Sequence, residues 1–168
     1  MHVLTTRRRM RAAARLGILL SLLSLVGCDL PADEVLIAQF KRSRNDIEHL
    51  RQMAEDDDIH GRIHASYADP KLPDARLNEY RRLMSASGIM RLNANGRQKP
   101  LELMVDANGF LAQGDYKGYL YDPSESGGSA GSLDDSCFDI AEAKKQERFC
   151  SAVRSLGDGW WLIRYEYR

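Results

Sequence analysis

Apolar positions along this chain change period partway through. From Asp33 to about Ala54, Leu36, Phe40, Ile47, Leu50 and Ala54 recur at helical spacing, while Lys41, Arg42, Asp46, Glu48 and Glu55 occupy the other side. The pattern predicts an amphipathic helix. A second helix is predicted from about Asp74 to Ser87, started by Pro73 and Asp74, with Leu77, Tyr80 and Met84 as its apolar face and Gly88 as its stop. Between them lies an irregular stretch containing Gly61 and Asp69-Pro70. From Ile89 onward, short apolar segments alternate with turn-type residues, notably Asn93-Ala-Asn-Gly96 and Asp106-Ala-Asn-Gly109, and strands are expected at 89–92, 101–105, 110–113, 116–121, 147–153 and 160–167. The expected fold class is α+β, with two N-terminal helices packed on a mostly antiparallel β-sheet.

The last predicted strand shows the clearest alternation. Trp161, Ile163, Tyr165 and Tyr167 fall on one face, and Trp160, Leu162, Arg164 and Glu166 on the other. Gly157-Asp158-Gly159 reads as the turn into it. The stretch Ser124 to Ser132 (SESGGSAGS) has no apolar residue larger than alanine and is expected to be a mobile loop inside one domain, residues 33–168.

The front of the chain has a different texture. Arg7, Arg8, Arg9, Arg11 and Arg15 precede an apolar run from Leu16 to Val26, which is too short to span about 30 Å of hydrocarbon as a helix of about 20 residues. It has the build of an export signal. Leu25-Val26-Gly27-Cys28 closes the run and resembles the lipobox of bacterial lipoproteins. That resemblance implies cleavage before Cys28, a diacylglyceryl group on its thiol and acylation (palmitate or a similar chain) of the new amino terminus. Residues 1–27 would be the lipoprotein signal peptide and 28–32 a short lipid-anchored tether. Several acyl chains together hold a protein firmly, since each buried methylene adds about 0.8 kcal/mol and one chain alone is marginal. Thr6-Arg7-Arg8-Arg9-Met10 also resembles part of a twin-arginine export signal, although Arg11 stands where that motif usually has an apolar residue. Asp29 resembles the sorting residue that retains enterobacterial lipoproteins in the inner membrane; other bacteria read later positions, which leaves the choice of membrane open.

The formal charge of zero conceals an asymmetry. Five of the 24 basic residues precede Cys28 whereas all 24 acids follow it, so the segment from Cys28 onward carries 19 basic and 24 acidic residues, a charge of −5. An acidic domain argues against a nucleic-acid partner and against electrostatic adhesion to anionic lipid. Any membrane attachment then falls to the lipid on Cys28. With Cys28 acylated, Cys137 and Cys150 are the remaining thiols in an oxidising periplasm, and a disulfide between them is expected.

Candidate chemistry is sparse. His60 and His64 stand four apart, the spacing that brings two imidazoles to one side of a helix for a metal, with Asp56, Asp57 and Asp58 upstream. Gly61 lies between them and no H-E-x-x-H is present, so a loop leaving an acidic helix end explains the same residues. A calcium-loop reading has Asp56, Asp58 and Gly61 in place, but Tyr67 stands where the bidentate Glu belongs. No catalytic residues and no cofactor are assigned, because no nucleophile elbow, phosphate loop or dinucleotide fingerprint occurs. Asp115-Tyr116-Lys117-Gly118-Tyr119-Leu120-Tyr121 places aromatic rings on both faces of one strand, so Tyr116, Tyr119 and Tyr121 are candidates for a binding surface. The plainer reading packs these tyrosines with Trp160 and Trp161, with Gly118 making room for a ring.

Arg44, Ile47 and Leu50 following Phe40, Tyr80-Arg-Arg-Leu83, Lys117-Gly-Tyr-Leu-Tyr121 and Gly159-Trp-Trp-Leu162 together resemble a group of small uncharacterised Gram-negative lipoproteins. The resemblance implies one helix-then-sheet domain in the cell envelope and brings no activity with it. The expectation is a membrane-anchored periplasmic accessory or binding protein with an envelope protein or polysaccharide as partner. The alternative is a small envelope hydrolase or metal-dependent enzyme built on His60 and His64.

Overall fold

The computed structural model describes residues 30–69, 71–110, 113–125 and 129–168, with the side chains of 108–110 and 113 left aside. Cys28, the lipobox and the signal-type segment lie outside the described residues, as does the Ser126-Gly127-Gly128 part of the predicted loop. Among the described residues the architecture is α+β: three helices and a seven-stranded, wholly antiparallel sheet. Helices α1 (Asp33–Arg42) and α2 (Arg44–Asp56) come first, then strand β1 (His60–His64) and helix α3 (Asp74–Ala86). Six strands follow: β2 (Arg91–Asn95), β3 (Leu101–Phe110), β4 (Gln113–Tyr121), β5 (Lys144–Lys145), β6 (Phe149–Gly157) and β7 (Trp160–Tyr167). Their order across the sheet is β1-β2-β3-β4-β7-β6-β5. The chain leaves β4, crosses to the far edge, and returns strand by strand until β7 pairs with β4. No described helix is long and apolar enough to cross a membrane.

Several expectations require correction. The first predicted helix is two helices meeting at Ser43, whose φ of −100° and ψ of 15° interrupt the regular geometry. The apolar stripe skips Ser43 and Arg44, so that turn puts no apolar side chain into the core to hold it straight, although the amide of Ile47 still donates to the carbonyl of Ser43 at 3.0 Å. The stretch after it is not wholly irregular, because His60–His64 forms β1, the sheet edge, paired from His60↔Asn95 to His64↔Arg91. Asn93-Ala-Asn95 belongs to β2 and only Gly96 starts the turn. Asp106-Ala-Asn-Gly109 continues β3, and the hairpin closes beyond Phe110, opposite Gln113. A register shift between Met104 and Asp106 absorbs one residue there, and pairing with the full length of β4 overrides the local turn preference. The described part of the predicted mobile loop is pinned: the Ala130 amide donates to Val153 at 2.8 Å, and the Ser155 amide to Ser129 Oγ at 3.0 Å.

One apolar core unites Leu36, Phe40, Ile47, Leu50 and Leu83 of the helices with Leu92, Leu103, Tyr119, Trp160 and Leu162 of the sheet. Phe40 is the hinge of this packing, with ring centroids 5.1 Å from Tyr119 and 5.6 Å from Trp160. Asp57 docks α3 onto the end of α2 by accepting from Arg76 Nε at 2.7 Å and Tyr80 Oη at 2.9 Å. Arg97 caps the last turn of α2, donating to the carbonyls of Glu55 and Asp56 at 3.0 and 3.1 Å, where the helix dipole favours a cation. Gly88, at φ +67°, provides the left-handed stop after α3 that the sequence pattern predicts.

The start of the fold is held by charge. Lys117, on β4 and 1% exposed, donates from Nζ to the Pro31 carbonyl at 3.2 Å, Asp33 Oδ1 at 2.9 Å and Asp134 Oδ1 at 2.7 Å. All three ammonium protons are thereby used. Asp33, equally buried, accepts further bonds on Oδ2 from the Leu133 amide at 2.7 Å and Arg154 Nη1 at 3.2 Å. Arg164 lies beside Lys117 across the β4–β7 pair and gathers the carbonyls of Leu133, Asp134 and Asp135. The start of α1, the crossover segment and the sheet centre are thus fastened at one point.

Candidate functional site

Alternation along the central strands sorts their side chains into two sets. Cross-strand pairing puts Lys117, Tyr119 and Tyr121 on the same face as Arg164, Leu162 and Trp160, which is the face that carries the core. Tyr119 is fully buried and donates from Oη to the Leu36 carbonyl at 2.9 Å. Tyr121 is half-buried, 5.2 Å from the Trp160 ring and covered by the Arg51 guanidinium at 4.8 Å. The candidate surface of Tyr116, Tyr119 and Tyr121 therefore does not form, and the plainer packing reading holds for two of them: Tyr119 is core, Tyr121 is at the core margin against Trp160, and Tyr116 alone looks outward. The signal that separates them is their parity relative to Trp160 and Leu162. Gly118 also serves a different purpose from the one expected, since a Cβ there would collide with the backbone of Leu103 and Met104, not with a ring.

The outward face has its own organisation. Tyr116 packs on Tyr165 with centroids 4.7 Å apart, Phe149 on Tyr165 at 5.4 Å and Phe149 on Tyr167 at 5.0 Å. These four rings, from β4, β7 and β6, make one aromatic strip. Tyr167 is 43% exposed and opens it to solvent. Beneath and beside the strip, Met104, Leu120 and Ile163 are buried yet stand outside the main core cluster, so this face has a small apolar floor of its own. Leu120, Val153, Ile163 and Tyr165 line a groove of about 130 Å³ whose rim carries Glu125, Glu142, Lys144 and Ser151, with Lys144 paired to Glu125 at 2.8 Å.

At the β3 end of the strip, Tyr116 Oη donates to Glu102 Oε1 at 3.2 Å, and Arg91 lies 3.8 Å from the same carboxylate and 5.8 Å from the Tyr116 ring centroid. Burial pushes the Glu102 carboxyl above its ordinary value, outweighing the Tyr116 hydrogen bond and the Arg91 charge, which act the other way. Burial, followed by the Glu102 charge, also drives the Tyr116 phenol upward. Tyr116 therefore remains a neutral donor throughout the physiological range.

The other predicted site residues fall elsewhere. Cys137 and Cys150 are joined as a disulfide, both fully buried, fastening the crossover segment to β6. Glu166 supports the same corner by accepting from the Cys137 amide at 2.7 Å and Ser136 Oγ at 2.8 Å. His60 and His64 sit on β1, not on a helix. At about 3.3 Å per strand residue a four-residue separation is about 13 Å, too far for two ligands of one ion. His60 lies 3.6 Å from Asp58, and His64 lies 3.5 Å from Ser66. Among the described residues no three His, Cys, Asp or Glu side chains converge to hold a metal. No protein-family model matches this chain, and neither a curated protein nor a solved structure matches it.

Proposed function

We propose that this chain is an exported lipoprotein, anchored through acylated Cys28, that acts as a non-enzymatic accessory protein of the cell envelope and binds a partner through the outward face of its sheet. The aromatic strip Tyr116–Tyr165–Phe149–Tyr167 is the observation that carries the binding role. Rigid amphipathic rings offer contact area at small entropic cost, and here they lie on a face separate from the main core. The sequence before Asp29 supports the anchor. In this reading α1, α2 and α3 form the opposite layer of the domain.

The clamp at Lys117 supports a position close to the membrane. With the Pro31 carbonyl fixed to the sheet, only Asp29 and Leu30 separate Cys28 from the folded domain. At 3.3 to 3.6 Å per residue the tether from Cys28 to Pro31 spans about 10 Å. A partner is then met near the bilayer, within the periplasmic space adjoining it.

A photo-crosslinking amino acid placed at Tyr167, compared with one at Lys41 on exposed α1, tests the binding face in intact envelopes. Crosslinked species specific to position 167 are expected. Crosslinks absent from both positions, or equal at the two, would overturn the assignment of the face, and turnover of an envelope polymer by the purified protein would overturn the non-enzymatic reading.

A further inference from the structure

A second concavity lies away from the aromatic strip, where the end of β1 and the start of β2 meet the last turns of α3. Its volume is about 300 Å³, at the lower end of the range of about 300 to 1,000 Å³ for small-molecule sites. Met84 and Ile89 form a buried floor, and Met90, 43% exposed, stands at the mouth with Ser85. Thioether side chains are flexible and polarizable, so two methionines let such a cavity adapt to a linear apolar group. His64 and Arg81 supply the polar edge.

Arg81 is the informative residue. Its Nε donates to the His64 carbonyl at 3.4 Å, and both residues line the cavity. Among the described residues its terminal nitrogens meet no acceptor, in contrast to Arg76 on the same helix, which is engaged by Asp57 and Glu79. A guanidinium fork held at the edge of an apolar cavity complements a carboxylate attached to an apolar tail. A peptide is a poorer occupant. The free edge of β1 beside the cavity is already taken by the chain's own return, through His64 N to the Tyr67 carbonyl at 2.7 Å and Asp69 N to the Arg62 carbonyl at 2.9 Å. An acyl chain needs no backbone partners.

We infer that this cavity binds the carboxylate form of a short acyl acid, with the tail among Met84, Ile89 and Met90 and the head on the terminal nitrogens of Arg81. The inference does not depend on the lipid anchor or on the aromatic strip. It adds a small-molecule site to the opposite end of the sheet.

Methyl NMR of the full chain in phospholipid nanodiscs, labelled at the methionine ε-carbons and titrated with octanoate, provides the test. Saturable shifts of the Met84 and Met90 methyls are expected, with the Met53 and Met104 methyls unmoved. Octanol, which has the same tail length and no charge, should bind at least about tenfold more weakly, as should octanoate to Arg81→Gln. Arg81→Lys should retain part of the binding, and Ser85→Trp, changed on the exposed side of the helix, should block it. No shift at Met84 and Met90, equal shifts with octanol, or unchanged octanoate binding in Arg81→Gln would each overturn the proposal.

Discussion

Replacing Lys117 by Met removes the ammonium that ties Pro31, Asp33 and Asp134 together while keeping the length of an apolar stem in the sheet. Asp33, 1% exposed, would lose the 2.9 Å partner of its Oδ1 and keep on Oδ2 only the Leu133 amide and the longer contact to Arg154. Breaking one side of a buried ion pair costs about 3 to 5 kcal/mol. The two surviving bonds to Asp33 place this case at the lower end, about 3 kcal/mol. With a urea m-value of about 2 kcal/mol/M for a domain of this size, the unfolding midpoint should fall by about 1.5 M. The assay is urea unfolding with the disulfide intact, followed by the fluorescence of Trp160, which is buried against Phe40 and Tyr121. A double-mutant cycle with Asp33→Asn should give a coupling of about 2 kcal/mol, and Lys117→Met/Asp33→Leu should regain part of the loss, because no fully buried charge is then left without a partner: Asp134 is half-exposed and Arg154 keeps Glu34. A loss below about 0.5 kcal/mol for Lys117→Met, or a coupling indistinguishable from zero, would refute the assignment of this cluster as the fastening of the start of α1.

Four other outcomes follow from the same structure. Reducing the Cys137–Cys150 disulfide, which closes a sequence separation of 13 residues, should lower stability by about 3 kcal/mol, measured by urea unfolding with and without reductant. Gly118→Ala should destabilise by at least about 2 kcal/mol, because the added Cβ meets the backbone of β3, which cannot move aside as a side chain can; thermal unfolding checks it. Glu166 and Asp134 are both held below the ordinary carboxylate range, since the Ser136, Cys137 and Arg168 donors around Glu166 and the Lys117 and Asp33 donors around Asp134 outweigh the upward push of burial. Their stabilisation is therefore present above the unfolded carboxylate pKa and lost as pH falls through the depressed folded values, so Glu166→Gln should flatten the acid side of the stability profile. Glu102 has the opposite sign: its raised folded pKa makes its contribution complete below the unfolded value and lost as pH rises through the folded one, so Glu102→Gln should be more stable relative to the native chain at pH 7 than at pH 4.

What could be read from the sequence follows from the range of the interactions involved. The strand Trp160–Tyr167 was legible to the residue, because its alternation is unbroken and its turn is marked by two glycines. The stop of α3 at Gly88 was legible for the same reason, a local conformational need met by a local residue. β1 was not, since His-Gly-Arg-Ile-His contains a single apolar side chain facing the core and becomes a strand through its pairing with β2. That omission carried the histidines with it: a four-residue spacing means neighbours on a helix and about 13 Å on a strand. Lys117 gave no signal at all. Within its heptapeptide it reads as an exposed charge, and only the fold brings Asp33 and Asp134, 84 and 17 residues away, onto its ammonium group. The aromatic strip was half legible, in Tyr165 and Tyr167 on one face of the last strand, whereas Phe149 and Tyr116 joined it through the register of β6 and β4 on β7.

Attachment through Cys28 is the claim on which the location, the short tether and the membrane-proximal partner all depend. Growth with an alkyne analogue of palmitate, followed by mass spectrometry of the mature amino terminus, tests it most directly. The expected result is a labelled chain beginning at acylated Cys28 in the native protein, and no label with the signal segment retained in Cys28→Ala. Equal labelling of the two proteins, or an unmodified mature terminus beyond Cys28, would contradict it.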